Sequence, residues 1–295
     1  VVEELSQAQF DTVYNMLSLV IAAQLFTALF LVMNLRRVLP KYRAAIVVSA
    51  IVCSIAAYHY FRIFDSFREA YVTDAVGGTG VYTLAEGASF NVAYRYVDWL
   101  LTVPLLLLET IAVLALARRV QGSLMLRLVP AAALMIALGY PGEISTDVTT
   151  KAIWGFLSTI PFVYILWVLF VELTRRLAEQ PKEVAVTVRN LRWLLLATWG
   201  VYPIAYLLPM LNIEGSNAFV GREIGYSVAD ILAKALFALV IFRIARLKSA
   251  YDDPQYALEH DSTTVALIEE IEGRPITAAR GDRSGGVDTA VGVGV

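Results

Sequence analysis

The chain has little of what soluble enzymes use. Its 295 residues include one cysteine and two histidines, and only 17% are charged. The lone Cys53 excludes an internal disulfide, and inside an apolar stretch it reads as a packing residue. No His/Cys spacing suits a metal and no glycine-rich loop suits a phosphate. Hydrolytic and nucleotide chemistry therefore lack residues, the chain is not expected to be an enzyme, and no nucleic-acid partner is expected. The long apolar stretches lack period-2 alternation, which favours a helical bundle over a β-barrel.

Apolar side chains dominate instead. At 58% hydrophobic, with a mean hydropathy of +0.63, the chain is too apolar for a soluble domain of this length. Seven stretches can span a bilayer: roughly 8–35, 43–64, 90–117, 124–141, 150–173, 190–211 and 222–247, the fourth being the shortest. The expected fold is an all-α, multi-pass bundle of seven transmembrane helices in a lipid bilayer.

Basic residues orient it. The connections after spans one, three and five, with the residues just past span seven, carry fifteen Lys and Arg. The opposite connections hold only Arg68, Lys151 and Arg222. The positive-inside rule then places the amino terminus outside and the carboxyl terminus in the cytoplasm. Residues 1–248 form the membrane domain. Residues 249–295, with nine acids against Arg274, Arg280 and Arg283, read as a mostly disordered tail with a short helix near 264–271. Between spans two and three, the 65–91 stretch with Gly77-Gly78-Thr79-Gly80 suits a hairpin over the outer surface.

Ionisable residues inside the spans stand out against this background. Lys234 lies in the middle of span seven, where a charged lysine costs on the order of 3 kcal/mol on insertion scales and persists only with a partner or a function. Asp230 precedes it by four residues, on the same face and about 6 Å away along the axis. Such a pair can fix helix packing, or the amine can serve covalent chemistry. Span three holds Asp98 and Glu109, eleven residues apart, hence on one stripe about 16 Å apart, with Thr102 one turn from Asp98. Two carboxylates separated by leucines suit stations on a proton path; the alternative is a Glu109 that snorkels to the interface.

Arg95-Tyr-x-Asp98-Trp99-x-x-Thr102-x-Pro104 in span three, Trp199-x-x-Tyr202-Pro203 in span six and Asp230-x-x-x-Lys234 in span seven resemble the microbial rhodopsins over about residues 5–250. His59-Tyr60-Phe61-Arg62 and the run 154–161 are most similar to the xanthorhodopsin-like branch of eubacterial proton pumps. The resemblance implies a light-driven outward proton pump in the bacterial cytoplasmic (inner) membrane, with all-trans retinal bound as a Schiff base to Lys234. It implies Asp98 and Asp230 as counterions, Arg95 as a compensating charge, Asp98 as proton acceptor and Glu109 as cytoplasmic donor. Thr102 offers a hydroxyl near Asp98, and His59 is expected to bond Asp98 and regulate it. Trp99, Leu106, Met135, Gly139, Trp199, Tyr202, Pro203 and Tyr226 match pocket positions, with the apolar Leu106 pointing to green absorption. Pro203 is expected to kink span six. Chloride pumps of the family lack the first carboxylate and sodium pumps carry Asn, Asp and Gln at the three positions, neither of which is present here. Gly155 stands where many members carry a tryptophan, and implies a lateral window for a hydroxylated carotenoid antenna; helix contact through a small residue is the plain alternative. A homo-oligomer is expected. The rival functions are a photosensory receptor signalling through a cytoplasmic partner, against which Glu109 argues, and a seven-helix carrier without chromophore. The proton-release group is not legible, Glu214 and Glu223 both lying toward the outer side.

Overall fold

The structure is a computed structural model of the chain, describing residues 2–73, 80–273, 275 and 276. Helix α1 (Gln7–Met33) opens on a capping box: Ser6 Oγ accepts from the Gln9 amide at 3.3 Å, and Gln9 Oε1 accepts from the Ser6 amide at 2.9 Å. Helix α2 (Pro40–Ala70) places proline at its start, where the missing N–H has no partner to lose. Helices α3 (Ala93–Leu114), α4 (Arg118–Ile144) and α5 (Val148–Trp167) follow, and α5 runs through a π-helical turn, Val168–Glu172, into α6 (Leu173–Leu177). These rods are long and apolar enough to cross a membrane, and α4 is longer than the 124–141 read from the sequence.

The stretches expected as spans six and seven are assembled from shorter pieces. α7 (Lys182–Trp199) stops at Gly200 and α8 (Val201–Leu207) resumes. Pro203 explains the break, because its ring crowds the carbonyl of Trp199, four residues back, and offers it no N–H. The last rod comprises α9 (Ser216–Asp230), a π-helical turn Ile231–Leu236, and α10 (Phe237–Asp252). α1 packs on α2, α2 on α3, α3 on α4 and α4 on α5, while α9 and α10 return against α1, α2 and α7 to close the ring. The apolar core between them includes Val52, Leu107, Leu128, Val188 and Ile241.

One end of the bundle carries a small antiparallel sheet in which β3 (Val81–Leu84) lies between β1 (Glu4–Ser6) and β2 (Tyr71–Val72). Its Tyr82 stacks on Phe10 with ring centroids 3.8 Å apart, and Phe10 stacks on Phe67 at 5.0 Å. The expected hairpin thus has paired strands, while its glycine turn at 77–79 lies outside the described residues.

At the opposite, basic end the short helix expected near 264–271 is present, while the described part of the tail that precedes it is ordered where disorder was expected. Residues 254–272 are helical as α11 (Pro254–His260) and α12 (Ser262–Glu272), and they dock on the bundle. Val265 and Ile268 enter the core, and Asp261 pairs with both Arg37 and Arg246. Burial opposes the charge of Asp261, but hydrogen bonds from Arg246, Thr264 and Arg37 outweigh it and hold the carboxyl below the usual range. A carboxyl lowered in the docked state stabilises docking above its free value of about 4, and that contribution is lost as pH falls. Asp261→Asn is expected to cost about 2 kcal/mol of docking. That is less than for a fully buried pair, because the Arg37 and Arg246 side chains remain 31% and 22% exposed. Limited proteolysis around residues 252–262 at neutral pH checks this, with faster cleavage expected in the variant and equal rates contradicting it.

Candidate functional site

The π-helical turn of the last rod carries Lys234, 1% exposed, into the middle of the bundle. Its Nζ donates to Asp98 Oδ2 on α3 and lies 3.2 Å from Asp230 Oδ2. The four-residue spacing and the α3 stripe thus converge on one nitrogen. Asp230 also accepts from Tyr60 at 2.7 Å and from Tyr202, while Gln24 of α1 donates to its main-chain carbonyl at 2.9 Å. Two carboxylates against one amine leave one negative charge in excess in a buried site, so removing any of these donors is costly.

Arg95 is 3% exposed, and its ion-pair partner is Glu223 of α9, itself 1% exposed. Its guanidinium sits 4.9 Å from the Tyr226 ring centroid. The compensating charge expected for the two aspartates is therefore shared with a third carboxylate. His59 Nδ1 lies 3.8 Å from Asp98 Oδ1, ion-pair range rather than hydrogen-bond range, and 3.0 Å from the Ile55 carbonyl. Thr102 donates at 2.8 Å to the main-chain carbonyl of Asp98, not to its carboxylate. Glu109 is fully buried, and neither of its oxygens has a hydrogen-bond partner among the described residues. Ser49 of α2 faces it, but that hydroxyl donates to the Ala45 carbonyl at 3.1 Å.

From Lys234 a cavity of about 360 Å³ runs between α3, α4, α5 and the α7–α8 rod. Trp99, Leu106, Met135, Gly139, Gly155, Trp199, Tyr202, Pro203 and Tyr226 all line it, so the expected pocket positions surround one space. Trp99 and Tyr202 meet edge to face, with centroids 4.9 Å apart. At Gly139 an added Cβ would find ordinary contacts at 3.5 Å, so the protein alone does not demand glycine there; the extra volume goes to the cavity.

The chain and the fold that hold this buried lysine between two aspartates have counterparts among known proteins. The family model described as bacteriorhodopsin-like protein matches residues 11–247. The chain belongs to that family. It is 30% identical over 233 residues to a green-light absorbing proteorhodopsin from a gamma-proteobacterium, covering 79% of this chain and 86% of the relative. Among solved structures it is similar to xanthorhodopsin, described as a light-driven ion pump with dual chromophore: 45% identity, TM-score 0.80, 85% of this chain and 99% of that one. A thermophilic rhodopsin gives 44% identity and a TM-score of 0.81 over the same shares. The chain is thus a xanthorhodopsin-like microbial rhodopsin, a membrane protein from a family of light-driven ion pumps that bind retinal through a Schiff base on a lysine. The site fits that group: a slot of this volume lies in the range of small-molecule pockets and has the Lys234 amine at one end, while Lys151, the other lysine in its lining, donates to the Gly142 and Glu143 carbonyls.

Sequence reasoning gave this rhodopsin's Glu223 no role beyond lying toward the outer side with Glu214, named Tyr60 only within the motif that marks the branch, and did not single out Gln24. A signal existed for Glu223, which precedes Asp230 by seven residues, two helical turns, and so shares its face. Tyr60 adjoins His59, and Gln24 is a polar side chain in the otherwise apolar run of α1.

Proposed function

We propose that this rhodopsin pumps protons outward, with the basic end of the bundle in the cytoplasm and the sheet end outside, in a bacterial inner membrane. The observation that carries this reading is the placement of Asp98 and Glu109 on α3: one carboxylate on the Lys234 nitrogen, the other buried toward the basic end. Retinal held as a Schiff base on Lys234 would supply light absorption and a light-driven change in proton affinity at that nitrogen. The chain's own residues do the rest. Asp98 Oδ2 accepts the proton from the nitrogen. Asp230, fixed by Tyr60 and Tyr202, is the second carboxylate facing that nitrogen before illumination. Thr102 fixes the backbone at Asp98, and His59 faces the other carboxylate oxygen of Asp98 from 3.8 Å. Arg95 with Glu223 marks the way out. Glu109 returns a proton from the cytoplasmic side, buried where neither of its oxygens has a hydrogen-bond partner among the described residues.

Illuminated cells suspended in potassium sulfate, free of sodium and chloride, are expected to acidify the medium at an undiminished rate. Loss of the signal in that medium would mean another ion is carried.

The pump is also assigned a hydroxylated carotenoid as antenna. Phe156 and Leu207 line the cavity yet are 69% and 45% exposed on the outer face, so the slot reaches the lipid side beside Gly155. An added Cβ at Gly155 would come within 2.8 Å of the Tyr206 ring, which shows that this glycine also serves close helix contact. With the carotenoid supplied, its bands are expected in the action spectrum of the native protein and not in Gly155→Trp, provided retinal absorption persists in both. Identical spectra would remove the antenna. The protein is further expected to form homo-oligomers, as its lipid-facing apolar surface allows.

A further inference from the structure

Lys248 of α10 lies just past the 222–247 span, at the basic end, and is only 7% exposed. Its Nζ donates to the main-chain carbonyl of Leu114 at 2.8 Å and to Gln180 Oε1 at 2.5 Å. Leu114 is the last residue of α3, which ends where Ala115 turns left-handed at φ 46°. The ammonium thus satisfies an orphan carbonyl at the negative end of that helix. Gln180 belongs to the connection between α6 and α7. One side chain on α10 therefore ties the end of α3 to the segment that leads into span six.

The neighbouring charges do not pair with it. Asp252, one turn further along α10, is taken by Lys41 at 2.8 Å and by the Tyr42 hydroxyl, both from α2. The Tyr42 ring lies 5.4 Å from Nζ, and α3 and the α6–α7 connection offer it only carbonyl oxygens. Burial pushes the amine down to about 8, with Asp252 opposing and Lys41 reinforcing the shift. Glu109 precedes Leu114 by five residues, about 7.5 Å along the same helix. Lys248 therefore stands between that buried carboxyl and the basic end.

We propose that Lys248 is a positioning residue for proton uptake: by bridging the Leu114 carbonyl to Gln180 it latches the mouth above Glu109, and releasing Gln180 admits water and a proton. This rests on Glu109 being the cytoplasmic donor. The latch needs no covalent step, since the proton passes from bulk water to the Glu109 carboxylate while Lys248 only changes partners.

The test has a dark arm and a light arm, both on the retinal-loaded protein. In the dark, deuterium exchange of amides 111–115 is expected to rise about tenfold in Lys248→Met and in Gln180→Leu, the scale of one charge-assisted hydrogen bond. The double variant should show no rise beyond that of Lys248→Met, because that change already removes the bond to Gln180 together with the bond to Leu114, whereas Lys248→Arg should stay near the native rate. Between pH 7 and 9 the native protein should exchange faster relative to Lys248→Arg, as the ammonium loses its proton and the guanidinium does not. In the light, a pH-indicator dye should report faster proton uptake in the two unlatched variants. Unchanged or additive exchange overturns the latch. Raised exchange with an unaltered uptake rate overturns its role in uptake. Absence of uptake in the native protein would strike the pump reading instead, which the dark arm does not depend on.

Discussion

Lys234→Ala is expected to give a colourless protein after retinal is supplied, with no light-driven transport at all. Lys234 lines the cavity and its amine touches both aspartates, whereas Lys151, also in the lining, is held by main-chain carbonyls. The substitution removes the attachment point and also strands two buried carboxylates, at a cost on the order of 3–5 kcal/mol for a broken buried ion pair. Stability should therefore fall together with colour. Far-UV circular dichroism separates the two effects: helix content near native with no visible band supports the assignment, because alanine suits a membrane helix. Retinal-linked visible absorption persisting in the variant would remove it.

Asp98→Asn is expected to stop pumping, with a loss of at least about 100-fold, the usual share of a positioned proton acceptor. It should also shift absorption to the red, since the amide keeps the shape of Asp98 but withdraws the negative charge from the Lys234 nitrogen. Asp230 remains, held by two tyrosine hydroxyls, so the pigment should still form. Glu109→Gln provides the contrast. Lying far from the nitrogen on the same helix, it should retain colour and slow only the return of the proton. A pumping Asp98→Asn, or a Glu109→Gln that cycles at the native rate, would break the division of labour along α3.

Much of this was legible in sequence because the membrane makes polar residues conspicuous. Lys234, Asp230, Asp98 and Glu109 stand out where each charge needs a reason, and helical spacing alone puts Asp98 and Glu109 on one face. Span lengths follow from bilayer thickness, although helix ends do not: α2 and α4 continue beyond their apolar stretches on local propensity and packing. The π-helical turns at Val168–Glu172 and Ile231–Leu236 leave no mark in composition, since they differ from an α-helix only in which carbonyl each amide chooses. The Arg95–Glu223 pair and the Asp261 docking join residues 128 and 224 positions apart, so tertiary approach alone decides them. In the tail the short helix near 264–271 was legible, but the acidic composition gave no sign that Val265 and Ile268, three apart on its face, enter the core. The orientation of the Thr102 hydroxyl likewise depended on competition from its own helix carbonyl, which a short polar side chain can always reach.

The most direct test of the central claim is the pH outside cells that express the protein, supplied with retinal and illuminated in weakly buffered medium. Outward proton pumping predicts acidification that begins with the light, decays in the dark and is abolished by a protonophore. Alkalinisation, or a pH change that the protonophore enhances, would contradict it, because protons would then be following another ion instead of being carried.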